Sequence, residues 1–229
     1  MRRCSRSTPG PAGRSSVTRA QIRKAFGTHP ATEDDEETLA QWLADKVCPV
    51  ETSRERLTAA VLERCRSKSM EPPASGQVER LVNSACHRFD EAFASQVAAR
   101  LGPMGCGRLE DLLSTPQLLA DLKSDPGPLG LDTLLTEIGK LSTARSLGLG
   151  GTVFAEVSDR IVAAWRVRAM RMFPSDFADC GESVRYTLLA ALCWTRQAEL
   201  VEGLVELLIG LIHRIGAAVI SGRDFSLSP

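Results

Sequence analysis

The chain has 229 residues, enough for one large domain or two small ones around a buried core. Its 28 Lys and Arg balance 28 Asp and Glu, which excludes a purely electrostatic nucleic-acid tail but leaves room for a basic face set against an acidic one. Aromatic residues are only 5%, with a single Tyr, a poor supply for stacking bases, so an RNA or single-strand reader is not expected.

Residues 1–15 (MRRCSRSTPGPAGRS) are rich in Ser, Pro, Gly and Arg. They carry too little apolar surface to offset ordering, and they lack the apolar run of a secretion signal, so this start is expected to be disordered. A first helical module is expected over residues 16–124. Ser16 can cap a helix in which Val17, Ile22 and Phe26 pack and which Gly27 ends. Thr32 is the next N-cap, with Glu33 to Glu37 placed where negative charge suits the helix dipole, and Leu39, Trp42, Leu43 and Val47 follow at helical spacing. Thr52 and Glu55 have capping-box spacing ahead of Leu57, Val61, Leu62 and Cys65. After MEPPASG, Ser75 opens a long helix to Gly102, striped by Val78, Leu81, Val82, Ala85, Phe89, Phe93 and Val97. Short helices follow around Leu109 to Leu113 and Pro116 to Lys123.

Residues 122–135, LKSDPGPLGLDTLL, are a hard stop. Pro126 pushes Asp125 out of the α region, Gly127 permits a turn with positive φ, and Pro128 stiffens the exit. This reads as a rigid hinge between the first module and a second one over residues 125–229, which ends in a short tail. Within the second module, helices are expected from Leu131 to about Leu147, from Thr152 to Phe173, from Ser183 to about Arg196 and from Glu199 to about Ile220. No run of alternating β-branched residues reads as a strand. The expected fold is therefore all-α, a multi-helix array of about nine or ten helices with short Pro/Gly-rich connections and no sheet.

Motifs that carry chemistry are missing. GLDTLLTEIGK has the wrong spacing for a phosphate loop, with Leu141 where Ser or Thr is needed, and GLGGTV lacks the third glycine of a dinucleotide fingerprint. His29, His87 and His213 have no second ligand at helical spacing. The seven cysteines are odd in number and form no CxxC, so they read as reduced thiols. No catalytic residue, metal site or cofactor is expected. The apolar stretch from Leu200 to Ile220 is interrupted by Glu202, Glu206, His213 and Arg214, which suits a buried helix and not a membrane span. A cytoplasmic protein without a membrane partner is the expectation.

Basic residues are more informative. At 100° per residue, Arg160, Arg168 and Arg171 fall within roughly an 80° arc of one helix, which also carries Arg166. Arg145 could extend that face, and Arg19, Arg23 and Lys24 form a second basic group on the first helix. Arginine forks hold phosphates well, yet helical spacing alone does not separate DNA from an acidic protein partner.

Several segments in order resemble a known family. They are TRAQIRKAFG; EPPASGQVERLVNSA; LKSDPGPLGLDTLLTEIGKL with ARSLGLGG; WRVRAMRMFPSDF; and RYTLLAALCWTRQAELVEGLVELLIGLIHRI. From about Thr18 to Ile220 the chain resembles part of the N-terminal half of the transposases of the Tn-three family of bacterial replicative transposons. The resemblance implies helical modules that bind double-stranded DNA at the transposon's terminal inverted repeats. It also implies that strand transfer belongs to a separate carboxylate domain that no segment here matches, so no catalytic residue carries over and the chain is expected to be a fragment without that activity. Full-length transposase would be a partner, and a nucleoid location would follow from DNA binding. The alternative expectation is a helical interaction fragment that binds no DNA and pairs with full-length transposase or another protein.

Overall fold

Thr32 shows how locally the helix starts are written. Its hydroxyl accepts the Asp35 amide while the Asp35 carboxylate accepts the Thr32 amide at 3.0 Å, a reciprocal cap that satisfies two otherwise orphaned donors at the helix start. The structure, a computed structural model, describes residues 19–220, so the expected disorder of residues 1–15 and the end of the tail lie outside the described residues. Within them the fold is all-α. Its helices are α1 (Arg19–Phe26), α2 (Glu33–Lys46), α3 (Arg54–Ser67), α4 (Ser75–Leu113), α5 (Pro116–Lys123), α6 (Leu131–Ser146), α7 (Asp159–Arg171), α8 (Pro174–Ala178) and α9 (Glu182–Ile220). Among the described residues there is no strand, only one isolated bridge between His29 and Met70.

Two hydrophobic cores form. The first joins α2, α3 and the start of α4 through Leu39, Leu43, Leu57, Val61, Leu81 and Ala85. The second joins the rest of α4 to α5 through α9, with Phe93, Leu122, Trp165, Phe177 and Leu192 among its members. Phe89 on α4 packs against both. It stacks on Phe93 at 5.6 Å, and Phe93 meets the edge of Trp165 on α7 at 5.6 Å. The two cores thus meet inside α4 at Phe89, whereas the sequence placed the boundary between modules after Ser124. Prolines and glycines mark chain corners, but the cores follow the apolar stripe of α4, which runs without interruption through both.

Local chemistry explains the helix ends that differ from expectation. Ser53, and not Thr52, caps α3, its hydroxyl accepting from the Arg56 amide at 3.5 Å. Gly102 breaks α4 as expected, its φ of 63° being open to glycine and costly for other residues, and the chain resumes helix across Pro103. α7 begins at Asp159 and not at Thr152. Val153 and Phe154 are drawn into the core, Arg100 from α4 donates to the carbonyls of Val153 (3.3 Å) and Ala155 (2.9 Å), and Glu156 takes a φ of 75°. The two helices expected at the C-terminus are one, because TRQAEL contains no breaker. Phe26, expected to pack, is 77% exposed; α1 is held instead by Arg23, which meets Glu71 at 2.6 Å.

The corner at Asp125 is a fixed one, but it lies inside the second core and not between modules, since Leu122 before it and Leu141 after it belong to the same cluster. Gly127 is not among the positive-φ glycines. A Cβ there would sit 3.1 Å from the Thr133 hydroxyl, which donates to the Pro128 carbonyl at 2.6 Å, so glycine serves close approach and not handedness.

Candidate nucleic-acid interface

α7 has two sides of opposite character. Ile161, Val162, Trp165 and Ala169 are buried toward the second core. Arg160, Arg168 and Arg171 are exposed on the other side, with the short side chain of Ala164 between them. Among the described residues neither Arg160 nor Arg171 has a hydrogen-bond or ion-pair partner. Arg168 lies 5.8 Å from the Trp165 ring centre, a cation–π approach that keeps its fork at the surface.

The carbonyl end of α7 is satisfied from within. Lys123 of α5 donates to the carbonyls of Ala169 (2.8 Å) and Met172 (2.6 Å), and burial pushes its ammonium below the ordinary lysine value. This cation fixes the last turn of α7 and so the direction in which Arg168 and Arg171 project.

Arg166 does not belong to that face. Six residues beyond Arg160 it has rotated about 240° around the axis. There it meets both carboxylate oxygens of Glu199 on α9, at 2.7 and 2.8 Å. Arg196 joins the same Glu199 at 3.3 Å and donates to the carbonyls of Leu122 (2.9 Å) and Ser124 (2.8 Å). Lys140 and Glu137 of α6, both buried, pair at 2.6 Å, and Lys140 also donates to the Ser124 hydroxyl at 2.8 Å. The group is a bracket that holds the α5–α6 corner against α9.

The remaining sequence candidates are scattered. Arg145 is exposed at the end of α6 and has no partner among the described residues. Lys24 is exposed on α1, Arg23 is engaged by Glu71, and only the backbone of Arg19 is described. Of the eight candidates, the fold brings Arg160, Arg168 and Arg171 together and commits Arg23 and Arg166 to internal pairs. Sequence reasoning missed the bracket. Its signal was present: Glu137 and Lys140 share the stripe of α6 that also carries Leu141 and Ala144, where a charge has to find a partner.

Arg168 also borders a cavity of about 240 Å³ between the two cores, lined by Cys48, Arg54, Cys86, Phe89, Asp90 and Trp165, among others. Burial raises the Asp90 carboxyl above its usual range, opposed first by Arg168 and then by His87 and Arg54. Among the described residues no three His, Cys, Asp or Glu side chains converge as a metal site, and no helix is long and apolar enough to cross a membrane. No model of a known protein family matches the chain, and no curated protein matches it.

Proposed function

We propose that the chain binds double-stranded DNA through the outer face of α7, in the manner the resemblance to Tn-three-family transposases implies for terminal inverted repeats, and without strand transfer of its own. The observation that carries this reading is the trio Arg160, Arg168 and Arg171: three exposed forks within one arc of α7, with the small Ala164 between them. Such a face lets a phosphate backbone approach closely, and each fork can donate in pairs. Salt-titrated gel shifts on an inverted-repeat duplex and on a scrambled duplex test it. Tighter binding to the inverted repeat, with a steep salt slope, is the expected result. Equal and very weak binding to both overturns it.

A second reading rests on a different region. Val201, Val205, Leu208, Ile212 and Ile215 on α9 repeat at four-three spacing and are 39% to 58% exposed, beyond Leu200, the last buried residue of that helix among those whose side chains are described. A heptad seam of this kind suits a helical protein partner, full-length transposase among them. Co-purification with a full-length transposase in the absence of DNA tests it, and loss of that association in Leu208→Glu would tie it to the seam.

A further inference from the structure

Phe173 is an apolar ring held in water. Pro174 follows it and keeps its backbone out of the α region, and Phe173 is extended, at φ −85° and ψ 165°. The chain has left α7 before Phe173, and the ring is 72% exposed. Single exposed apolar residues are common on protein surfaces. This one differs in how firmly its backbone is tied. The Phe173 amide donates to the Asp176 carboxylate at 2.6 Å, and the Phe173 carbonyl accepts from the amides of Asp176 (3.0 Å) and Phe177 (3.3 Å). Just before it, the Met172 carbonyl accepts from Lys123 at 2.6 Å. Just after it, Phe177 is fully buried, with the Lys123 ammonium 5.1 Å from its ring centre.

The neighbour of Phe173 is the second observation. Arg171 is two residues away, so the two Cα atoms lie within about 7 Å of each other. Arg171 is exposed and has no partner among the described residues. Both residues border one cavity of about 330 Å³, with Leu119, Met170 and Pro174. The same Lys123 ammonium holds the carbonyls of Ala169 and Met172, on either side of Arg171, so fork and ring stand on one fixed stretch of backbone. A phosphate held by Arg171 brings the base edges of a groove within a few side-chain lengths. Phe173 has no donor or acceptor to read those edges. What an apolar ring can do there is enter the stack, as the apolar wedges of DNA-bending proteins do.

We propose that Phe173 is a wedge that enters a base step of duplex DNA beside the phosphate held by Arg171 and partly unstacks it. This rests on the reading of the α7 face as a DNA surface. The arginines hold the backbone, and the ring leaves water to stack on the base it uncovers. Phosphate contacts carry no sequence information directly. A kink does, because pyrimidine–purine steps open more easily than others. Phe173 therefore supplies a sequence preference that Arg160, Arg168 and Arg171 cannot supply alone.

The test uses duplexes that carry a Tn-three-family terminal inverted repeat, each with 2-aminopurine at a different position. Fluorescence should rise at one or two neighbouring positions when the wild-type chain binds. Phe173→Ala should lose that rise and bind on the order of tenfold more weakly. It should keep the wild-type salt slope, since it removes no charge, and the wild-type urea midpoint, as at exposed positions generally. Phe173→Leu keeps an apolar wedge and should retain part of the rise. An undiminished rise with Phe173→Ala, or no rise at any position in a wild-type complex that does form, overturns the wedge and leaves the α7 reading standing. A Phe173→Ala variant whose salt slope flattens makes the ring a support for Arg171 and overturns the wedge as well. Absence of any complex, even at low salt, overturns the α7 reading and the wedge with it.

Discussion

Arg196 and Arg171 carry the same head group, and the fold uses them in opposite ways. Arg196 is 8% exposed and spends its donors on the carbonyls of Leu122 and Ser124 and on the carboxylates of Glu199 and Glu137, the last at 3.9 Å. Arg171 stands in solvent at the end of α7 with no such partner among the described residues. The bracket at the α5–α6 corner is therefore charge turned inward to fix a shape, and the outer face of α7 is charge left over for something else. Arg166 shows how little separates the two uses: it lies on α7 among the other arginines, but its place on the helix turns it to Glu199.

The largest effect should come from breaking the bracket. Arg196→Leu leaves Glu137, Glu199 and the carbonyl end of α5 short of donors in a buried site. Removal of one partner from such a group costs about 3–5 kcal/mol. Urea unfolding should show that loss as a lower midpoint at an unchanged slope. A wild-type midpoint in Arg196→Leu would mean that the corner is held by its leucines alone.

The second effect concerns binding and leaves stability nearly untouched. Replacing Arg160, Arg168 and Arg171 together by Gln should move the unfolding midpoint by less than about 0.5 kcal/mol per site, as for exposed positions generally. The same variant should lose DNA affinity and flatten its salt slope by up to about 0.9 for each phosphate contact removed. Arg166→Gln should do the reverse, with lower stability and an unchanged salt slope. Should Arg166→Gln instead flatten the salt slope as much as the triple variant, the distinction between the two sides of α7 would fail.

These contrasts also mark what could be read from the residues. The helix stripes and most starts were legible because they are local: Thr32 with Asp35, Gly27 and Gly102 at positive φ, and Pro126 after Asp125 each act within a few residues. Thr152 was misread because what stops helix there is not local. Arg100, on α4, takes up the carbonyls that a helix would have used. The α7 face was legible as an arc of three arginines, but Arg166 and Arg23 could not be sorted from the others by spacing. Their carboxylate partners, Glu199 and Glu71, lie far away in the chain. The bracket depends in the same way on which helices meet.

A smaller effect probes the corner itself. Gly127→Ala should destabilise modestly, because the added methyl meets a Thr133 hydroxyl that its own 2.6 Å hydrogen bond keeps from yielding. Thr133→Val in the same chain removes that hydrogen bond, and it should reduce the further penalty of Gly127→Ala. Equal penalties in the two backgrounds would place the strain elsewhere.

The smallest effect tests how free Arg168 is. Asp90 keeps its proton to a higher pH in the folded chain than in the unfolded one, so the folded state binds more protons between the ordinary and the raised value. Stability therefore falls as pH rises through that window, and the cost of the buried carboxylate is fully present above it. Asp90→Asn should match the wild type at low pH and gain on it as pH rises, levelling off once Asp90 is ionised. Arg168 is the first of the charges that hold the Asp90 carboxyl down. Arg168→Gln should consequently extend the window to higher pH, whereas Arg160→Gln should leave it where it is. A shift of equal size in both would make the effect one of net charge and not of the cavity. A shift confined to Arg168→Gln would make Arg168 the one member of the outer trio that also senses the junction of the two cores, so that a phosphate held by Arg168 and the protonation of Asp90 would favour each other.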